Sequence, residues 1–397
     1  MLSLISNRRS EPGLVSGRAR LYVLIPSLSG GGAERVALAL LKGLNRELYS
    51  ITLVTLTGGT EGVALPDDVS VISMRSRSFT FALPSLAKLF RRSPPDLLLS
   101  HMSLPNAWAV FARGLARRRF PIVCVEHTVP SAAYSQGTRA HAFLPMIIRA
   151  TYRSADAVVA SSKNTAEDLV SVAGLSRSRV KVIENPVLSA EIEQLASEPP
   201  PHPWLRSDDV DVVLAVGRLV PAKDYPLLIR AFREVLDRHP RARLLILGEG
   251  AQRAGLEDLV AQLELLDYVS LPGWAENPYS AMSRAAVVAV SSRFEGGPST
   301  LIEAIACGAR VVSTAVGVAP EVLQNESLGN LVEPGDREAL VDAITQQLMG
   351  EGSPPPAVES VARFRCDVSV TAYDALIESL LERTPGDFAV APSGVER

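Results

Sequence analysis

Short apolar runs rich in Val, Ile and Leu recur along the chain. Each ends at Gly, Ser or Pro and gives way to a longer stretch with helical spacing. In the first half the runs are Leu21–Ile25, Ile51–Leu56, Val69–Ile72, Asp96–Ser100, Ile122–Glu126, Ala157–Ala160 and Val180–Ile183. In the second they are Val212–Val216, Arg243–Leu247, Val269–Leu271, Val287–Ser291, Arg310–Ser313 and Asn330–Val332. Strands that are apolar throughout, rather than alternating, belong in parallel sheets covered on both faces. The pattern therefore predicts an α/β chain made of two doubly wound, Rossmann-like units.

Asn185-Pro186 closes the first unit, residues 189–197 make a short helix, and Pro199-Pro200-Pro201-His202-Pro203 reads as a stiff linker. Gly352-Ser353-Pro354-Pro355-Pro356 marks a second break before a helix over 357–383. The expected division is a domain at 1–190, a domain at 191–356, the helix 357–383 returning towards the first, and a frayed tail at 384–397. A length of 397 residues agrees with two cores better than one.

Composition narrows the class. With 47% hydrophobic and 21% charged residues, wholesale disorder, collagen and a long coiled coil are excluded. Cys124, Cys307 and Cys366 lie far apart, so neither a disulfide framework nor a zinc site is expected, and a reducing cytoplasm fits. The first twenty residues carry four arginines without an apolar core, and no run reaches about 18 apolar residues. The expectation is a cytoplasmic protein that can lie peripherally at the inner face of the membrane. The net charge of −3 hides a split: residues 1–188 hold 23 Lys+Arg and 12 Asp+Glu, and residues 189–397 hold 17 and 31. Such asymmetry points the first half at something anionic.

Three strand-to-helix turns carry candidate chemistry. The first contains Gly30, Gly31 and Gly32, where exposed backbone N–H groups at a helix start favour an anion, although neither a GxGxxG spacing nor a Walker lysine is present. The second runs Gly217-Arg218-Leu219-Val220-Pro221-Ala222-Lys223, a planar fork and a mobile point charge suited to a diphosphate. In the third, Glu295-Gly296-Gly297-Pro298-Ser299-Thr300 precedes Glu303 on a new helix. Both carboxylates could face one pocket and accept from vicinal sugar hydroxyls. Taken singly, a flexible turn, a pair of solvated cations and a helix start with favoured acids remain open readings.

Together these residues resemble the GT-B glycosyltransferases, specifically the large retaining family 4. The shared elements are Gly30-Gly31-Gly32-Ala33-Glu34-Arg35, Glu126-His127-Thr128, Glu184-Asn185-Pro186, Gly217-Arg218 with Lys223, Gly248-Glu249-Gly250, and Glu295 with Glu303. The resemblance implies two Rossmann-like domains across a cleft, with a nucleotide sugar, usually UDP-linked, held mainly by the second. It implies that Arg218 and Lys223 neutralise the departing diphosphate and that Glu303 accepts from the ribose. Glu295 would contact the donor sugar, with Gly296, Gly297, Ser299 and Thr300 beside it. Gly30–Gly32 would close on the diphosphate, and His127 would lie next to the sugar. His101, also at a strand end, is a weaker candidate on the acceptor side. His202 and His239 read as bystanders.

No pair of carboxylates is placed as in a retaining glycosidase, and Asp208-Asp209-Val210-Asp211 lies in the linker, where it reads as solvated. Catalysis without a metal ion or cofactor is the expectation. The acceptor is expected to be a glycan or a lipid-linked one. Pro84 to Arg92 is basic and amphipathic; taken alone it reads best as a core-packed helix, yet the surplus of positive charge points the first domain at an anionic membrane surface or pyrophosphate lipid. No nucleic-acid motif is present. A sugar-nucleotide 2-epimerase and a non-catalytic sugar-nucleotide-binding protein share this plan and stand as alternatives.

Overall fold

The computed structural model describes residues 17–28, 31–60, 63–76, 79–127, 129, 131, 144–295, 299–323, 330–352 and 358–382. Every apolar run becomes a strand. The first domain contains β1 (Ala19–Ile25), β2 (Tyr49–Thr55), β3 (Ser70–Ser73), β4 (Leu97–His101), β5 (Ile122–Glu126), β6 (Ala157–Ala160) and β7 (Val180–Val182). All pair in parallel, in the order β3-β2-β1-β4-β5-β6-β7. The second contains β8 (Asp211–Val216), β9 (Ala242–Leu247), β10 (Val269–Gly273), β11 (Val287–Val290), β12 (Val311–Thr314) and β13 (Asn330–Val332). They are also parallel, in the order β10-β9-β8-β11-β12-β13. Each sheet reverses its winding once, beside β1 and beside β8. Ligands of such sheets bind in the crevice beyond the carboxyl ends of the strands at that reversal.

The unbroken apolar character of β1 follows from this layering. Tyr22 and Leu24 pack beneath α2 (Phe79–Arg92), α3 (Ser103–Ala116), α4 (Leu144–Tyr152) and α5 (Lys163–Ala173). Leu21, Val23 and Ile25 point the other way, towards α1 (Gly32–Gly43). The second sheet is enclosed likewise. Its helices are α6 (Ile192–Ser197), α7 (Tyr225–Arg238), α8 (Arg253–Gln262), α9 (Tyr279–Met282), α10 (Ser299–Ala306), α11 (Ala319–Val322) and α12 (Arg337–Leu348). The final helix, α13 (Cys366–Leu381), leaves this domain and buries Val370, Tyr373, Ile377 and Leu380 in the first. A Cβ on Gly43 would lie 2.6 Å from Val370 Cγ2, so the absence of a side chain there lets α13 approach α1 closely.

Among the described residues the chain crosses between the domains twice, and the crossings run side by side. Val187 N and Leu188 N each donate to Phe364 O at 3.0 Å, and Cys366 N donates to Leu188 O at 2.9 Å. The stretch expected to be one helix over 357–383 is broken at Arg365, the last residue before α13, with a 3₁₀ segment at Val358–Phe364 before it.

Much of the positive surplus of the first domain has a structural use. Arg91 donates to Leu115 O at 3.0 Å, Arg118 to Arg91 O at 2.9 Å, and Arg179 to Arg153 O at 2.9 Å. Arg113 reaches Phe120 O at 2.8 Å and Asp156 at 2.7 Å. These cations complete the carbonyl ends of helices and their loops, where the helix dipole favours positive charge. They sit just before strands, at the amino ends of the sheet's strands and away from the crevice. Leu86 and Phe90 of α2 are fully buried in the core, so the apolar side of that helix faces the sheet.

Candidate active site

At the winding reversal of the second sheet, the loops after β8 and β11 are stitched together. Asp224, buried and in a left-handed conformation with φ of 48°, opens α7. Its carboxylate accepts from Arg293 Nε at 2.7 Å and Nη2 at 3.2 Å. Arg293 N donates to Ala222 O at 2.8 Å, and Ser291 Oγ to Lys223 O at 2.9 Å. Held this way, Lys223 Nζ lies 2.8 Å from Glu295 Oε1, which also accepts from Ser292 Oγ. Arg218 stands on the same loop, exposed, its guanidinium without an ion pair or hydrogen bond among the described residues. Thr300 Oγ1 donates to Val216 O at 3.2 Å, fixing the amino end of α10, including Ser299, beside the end of β8. Gly296 and Gly297 lie outside the described residues.

The neighbouring loop after β9 requires glycine for another reason. A Cβ on Gly248 would come within 1.9 Å of Gly217 O. The backbone of one loop lies directly on the other, and Leu219 N donates to Glu249 O at 2.8 Å. The Gly-Glu-Gly element thus supports the Gly217–Lys223 loop from below.

Glu303, one turn into α10, is 2% exposed, and its Oε1 accepts from two groups. Arg35 Nη2, from α1 of the first domain, lies at 2.6 Å, and the Tyr279 hydroxyl of α9 lies at 3.3 Å. Arg35 also donates to that hydroxyl at 2.8 Å. Burial, with the negative charge of Glu303 beside it, pushes the Tyr279 phenol up to about 12. Glu303, Ser299, Gly32 and Arg35 line a cavity of about 720 Å³ between the domains.

Across the cleft, Gly31 N–H donates to the Glu34 carboxylate, and Gly32 begins α1 as an exposed residue. Gly30 lies outside the described residues. His101 and His127 end or follow adjacent strands and meet edge to edge. Their rings are 5.2 Å apart and 7° from parallel, with His101 Nδ1 and His127 Nε2 sharing one proton at 2.9 Å. They are 0% and 9% exposed, so His101 meets His127 rather than open solvent. Burial pushes both imidazoles down, His127 to about 4 although the nearby Asn185 side chain acts in the opposite sense, so both are neutral near pH 7. Beside them Glu126 is also buried, its carboxyl ringed by Tyr152 OH, Ser103 Oγ at 3.1 Å and Asn106 Nδ2 at 3.4 Å. Burial drives this carboxyl up to about 7 against those hydrogen bonds.

Two domains that place a cation pair, two carboxylates and a helix start at facing sheet reversals invite comparison with known proteins. Residues 30–189 match the model of Glycosyltransferase Family 4, and residues 201–360 match that of Glycosyl transferases group 1. The chain is 30% identical over 344 residues to N-acetylgalactosamine-N,N'-diacetylbacillosaminyl-diphospho-undecaprenol 4-alpha-N-acetylgalactosaminyltransferase of Campylobacter jejuni, covering 83% of this chain and 90% of that one. The chain belongs to the group 1 glycosyltransferases. It is 26% identical to N-acetyl-alpha-D-glucosaminyl L-malate synthase of Bacillus anthracis, over 76% of this chain and 80% of that one. Among solved structures, Anabaena HepE in complex with UDP-glucose is similar with a TM-score of 0.73 at 20% identity, covering 91% of this chain and all of that one. That likeness is one of fold, and the fold is GT-B.

For this glycosyltransferase, Arg35, Tyr279, Asp224 and Arg293 complete the site yet were not singled out for it from the sequence. Asp224 and Arg293 flank residues that were, and Arg35 closes the shared glycine-rich element Gly30–Arg35, which is the local signal for these three. Tyr279 sits in an ordinary helix start and carries none. His202 donates no group to the cleft but accepts from Trp204 N at 3.3 Å, and His239 pairs with Asp211 at 2.8 Å.

Proposed function

We propose that this glycosyltransferase moves a sugar from a nucleotide-diphosphate donor, with UDP as the carrier, to a glycan or lipid-linked acceptor, with retention at the anomeric carbon. The observation that carries the reading is the stitched loop pair that holds Lys223 against Glu295, with Arg218 exposed on the same loop and its guanidinium unpaired among the described residues. In this reading the diphosphate docks on Arg218 and draws Lys223 from Glu295, which then turns to the sugar hydroxyls. The bond between the anomeric carbon and the diphosphate oxygen breaks as the acceptor oxygen approaches on the same face. The acceptor proton passes to the departing phosphate oxygen. Arg218, Lys223 and the amino end of α10 stabilise the charge that develops on it, so no metal ion is needed. Gly30, Gly31 and Gly32 cover the diphosphate from the first domain. Gly296, Gly297, Ser299 and Thr300 border the sugar, and Glu303 takes a ribose hydroxyl. His127 packs beside the donor sugar, and His101 fixes its ring.

The lipid-linked acceptor is supported by the name of the Campylobacter relative and by the surface of the first domain. Helices α2, α3 and α4 carry no carboxylate, and Lys88, Arg92 and Arg149 are exposed on them. On α3 between them, Phe111 and Leu115 stand 41% and 56% exposed with Trp108 beside Phe111. No described helix is long and apolar enough to cross a membrane. An anionic membrane would meet the protein through this face. The test is a screen of UDP- and GDP-sugars with a membrane-lipid extract, with and without a chelator. Donor-dependent glycosylation of the extract is expected, lost in Arg218→Ala, Lys223→Ala and Glu295→Ala. Normal transfer by all three variants refutes the site.

A further inference from the structure

Arg35 lies 268 positions from Glu303 in sequence and in the other domain, yet it makes the shortest contact to that carboxylate. We propose that Arg35 is a positioning residue for the nucleotide. Its guanidinium, with the Tyr279 hydroxyl, fixes Glu303 Oε1 and leaves Oε2 to receive a ribose hydroxyl. The inference rests on the reading of Glu303 as the ribose acceptor.

Three observations lead there. The hydrogen bonds close a triangle: Arg35 donates to Tyr279 and to Glu303, and Tyr279 donates to Glu303. Both bonds to Glu303 fall on Oε1, while Oε2 makes no hydrogen bond among the described residues and the side chain lines the interdomain cavity. A carboxylate has acceptor capacity for both sets of donors, so the guanidinium and the ribose need not compete. Finally, the triangle is tied to the crossing between domains. Asn277 Oδ1 accepts from Tyr279 N at 3.0 Å, and its Nδ2 donates to Leu195 O of α6 at 2.8 Å. Ser283 Oγ, just beyond α9, donates to Ala196 O at 2.7 Å. The helix that carries Tyr279 is thereby clamped to the segment that joins the two domains.

An N-terminal domain that swings away takes Arg35 with it and leaves a buried carboxylate with one weaker partner. Nucleotide affinity then depends on a residue that need not touch the nucleotide, and domain closure and nucleotide binding become linked equilibria. A charge-assisted hydrogen bond to a half-exposed guanidinium is worth about tenfold in affinity.

The experiment is calorimetric titration of UDP, with GDP in parallel, into the full chain and into Arg35→Met, Arg35→Lys, Glu303→Ala and the Arg35→Met/Glu303→Ala double variant. Thermal unfolding of each verifies folding. Arg35→Met is expected to weaken binding about tenfold, Arg35→Lys to recover most of that loss, and Arg35→Met to add nothing once Glu303 is gone. In turnover, the Arg35→Met loss should fall more on the donor KM than on kcat. Unchanged or tighter binding by Arg35→Met, or an equal loss in the Glu303→Ala background, overturns the inference alone. Full affinity in Glu303→Ala overturns the ribose reading beneath it, and absence of nucleotide binding by the wild type overturns the proposed function.

Discussion

Replacing Glu126 by Gln should make the protein more stable than the wild type at neutral pH and not at acid pH. Gln keeps the shape of the protonated carboxyl, and its oxygen can still accept from Tyr152 and Asn106. Burial holds the Glu126 carboxyl up to about 7, against an ordinary value of 4.5. Between those limits the folded protein retains a proton that the unfolded chain has released. Its contribution is therefore fully present below the ordinary value and is lost as pH rises through the folded one. At about 1.4 kcal/mol per pH unit the wild type loses about 3 kcal/mol across the window, and the Gln variant loses none of it. His101 and His127 act in the opposite sense: held neutral in the fold, they destabilise it as pH falls below the ordinary imidazole value. Both proteins share that slope, so it cancels in the difference. Urea unfolding of the two proteins, repeated from about pH 4.5 to pH 8, reads the difference directly. Stability curves that run parallel across the window, or a variant weaker than the wild type at neutral pH, refute the claim that this carboxyl is protonated in the fold.

Other outcomes follow from the same contacts. Gly248→Ala forces a methyl against Gly217 O and should cost about 2 kcal/mol in thermal stability while raising the donor KM, because the displaced loop carries Arg218. Arg293→Met leaves Asp224 buried without its cation. Transfer should fall although Arg293 touches no substrate, and donor kinetics at saturating acceptor would expose it. Phe111→Ser with Leu115→Ser should reduce co-sedimentation with vesicles containing phosphatidylglycerol without lowering the melting temperature, whereas binding equal to the wild type removes the α3 face from consideration. His101→Phe keeps a planar ring of similar shape but not the shared proton; a reduced kcat with the fold intact is expected in the transfer assay.

The sheet architecture was legible in the sequence because it rests on a local property. A strand covered on both faces needs apolar residues at successive positions, and Leu21–Ile25 or Val287–Val290 announce that without knowledge of their neighbours. The glycine turns, the Arg218 and Lys223 pair and the spacing of Glu295 and Glu303 were legible for a similar reason, since each spans one strand-to-helix connection. The apolar rhythm over 84–92 also predicted a helix. Whether Leu86 and Phe90 face a core or a lipid depends on what lies beneath them, and the sheet takes them.

Partner choice was decided elsewhere. The ion pair of Arg293 with Asp224, the shared proton of His101 and His127, and above all the reach of Arg35 to Glu303 join residues 69, 26 and 268 positions apart. No periodicity or composition encodes such distances. An arginine beside a glycine turn reads the same whether it ends in solvent or on a carboxylate of the opposite domain. Only the packing of two sheets, joined by paired crossings and closed by α13, brings those groups within hydrogen-bond range and removes enough water for the contact to matter.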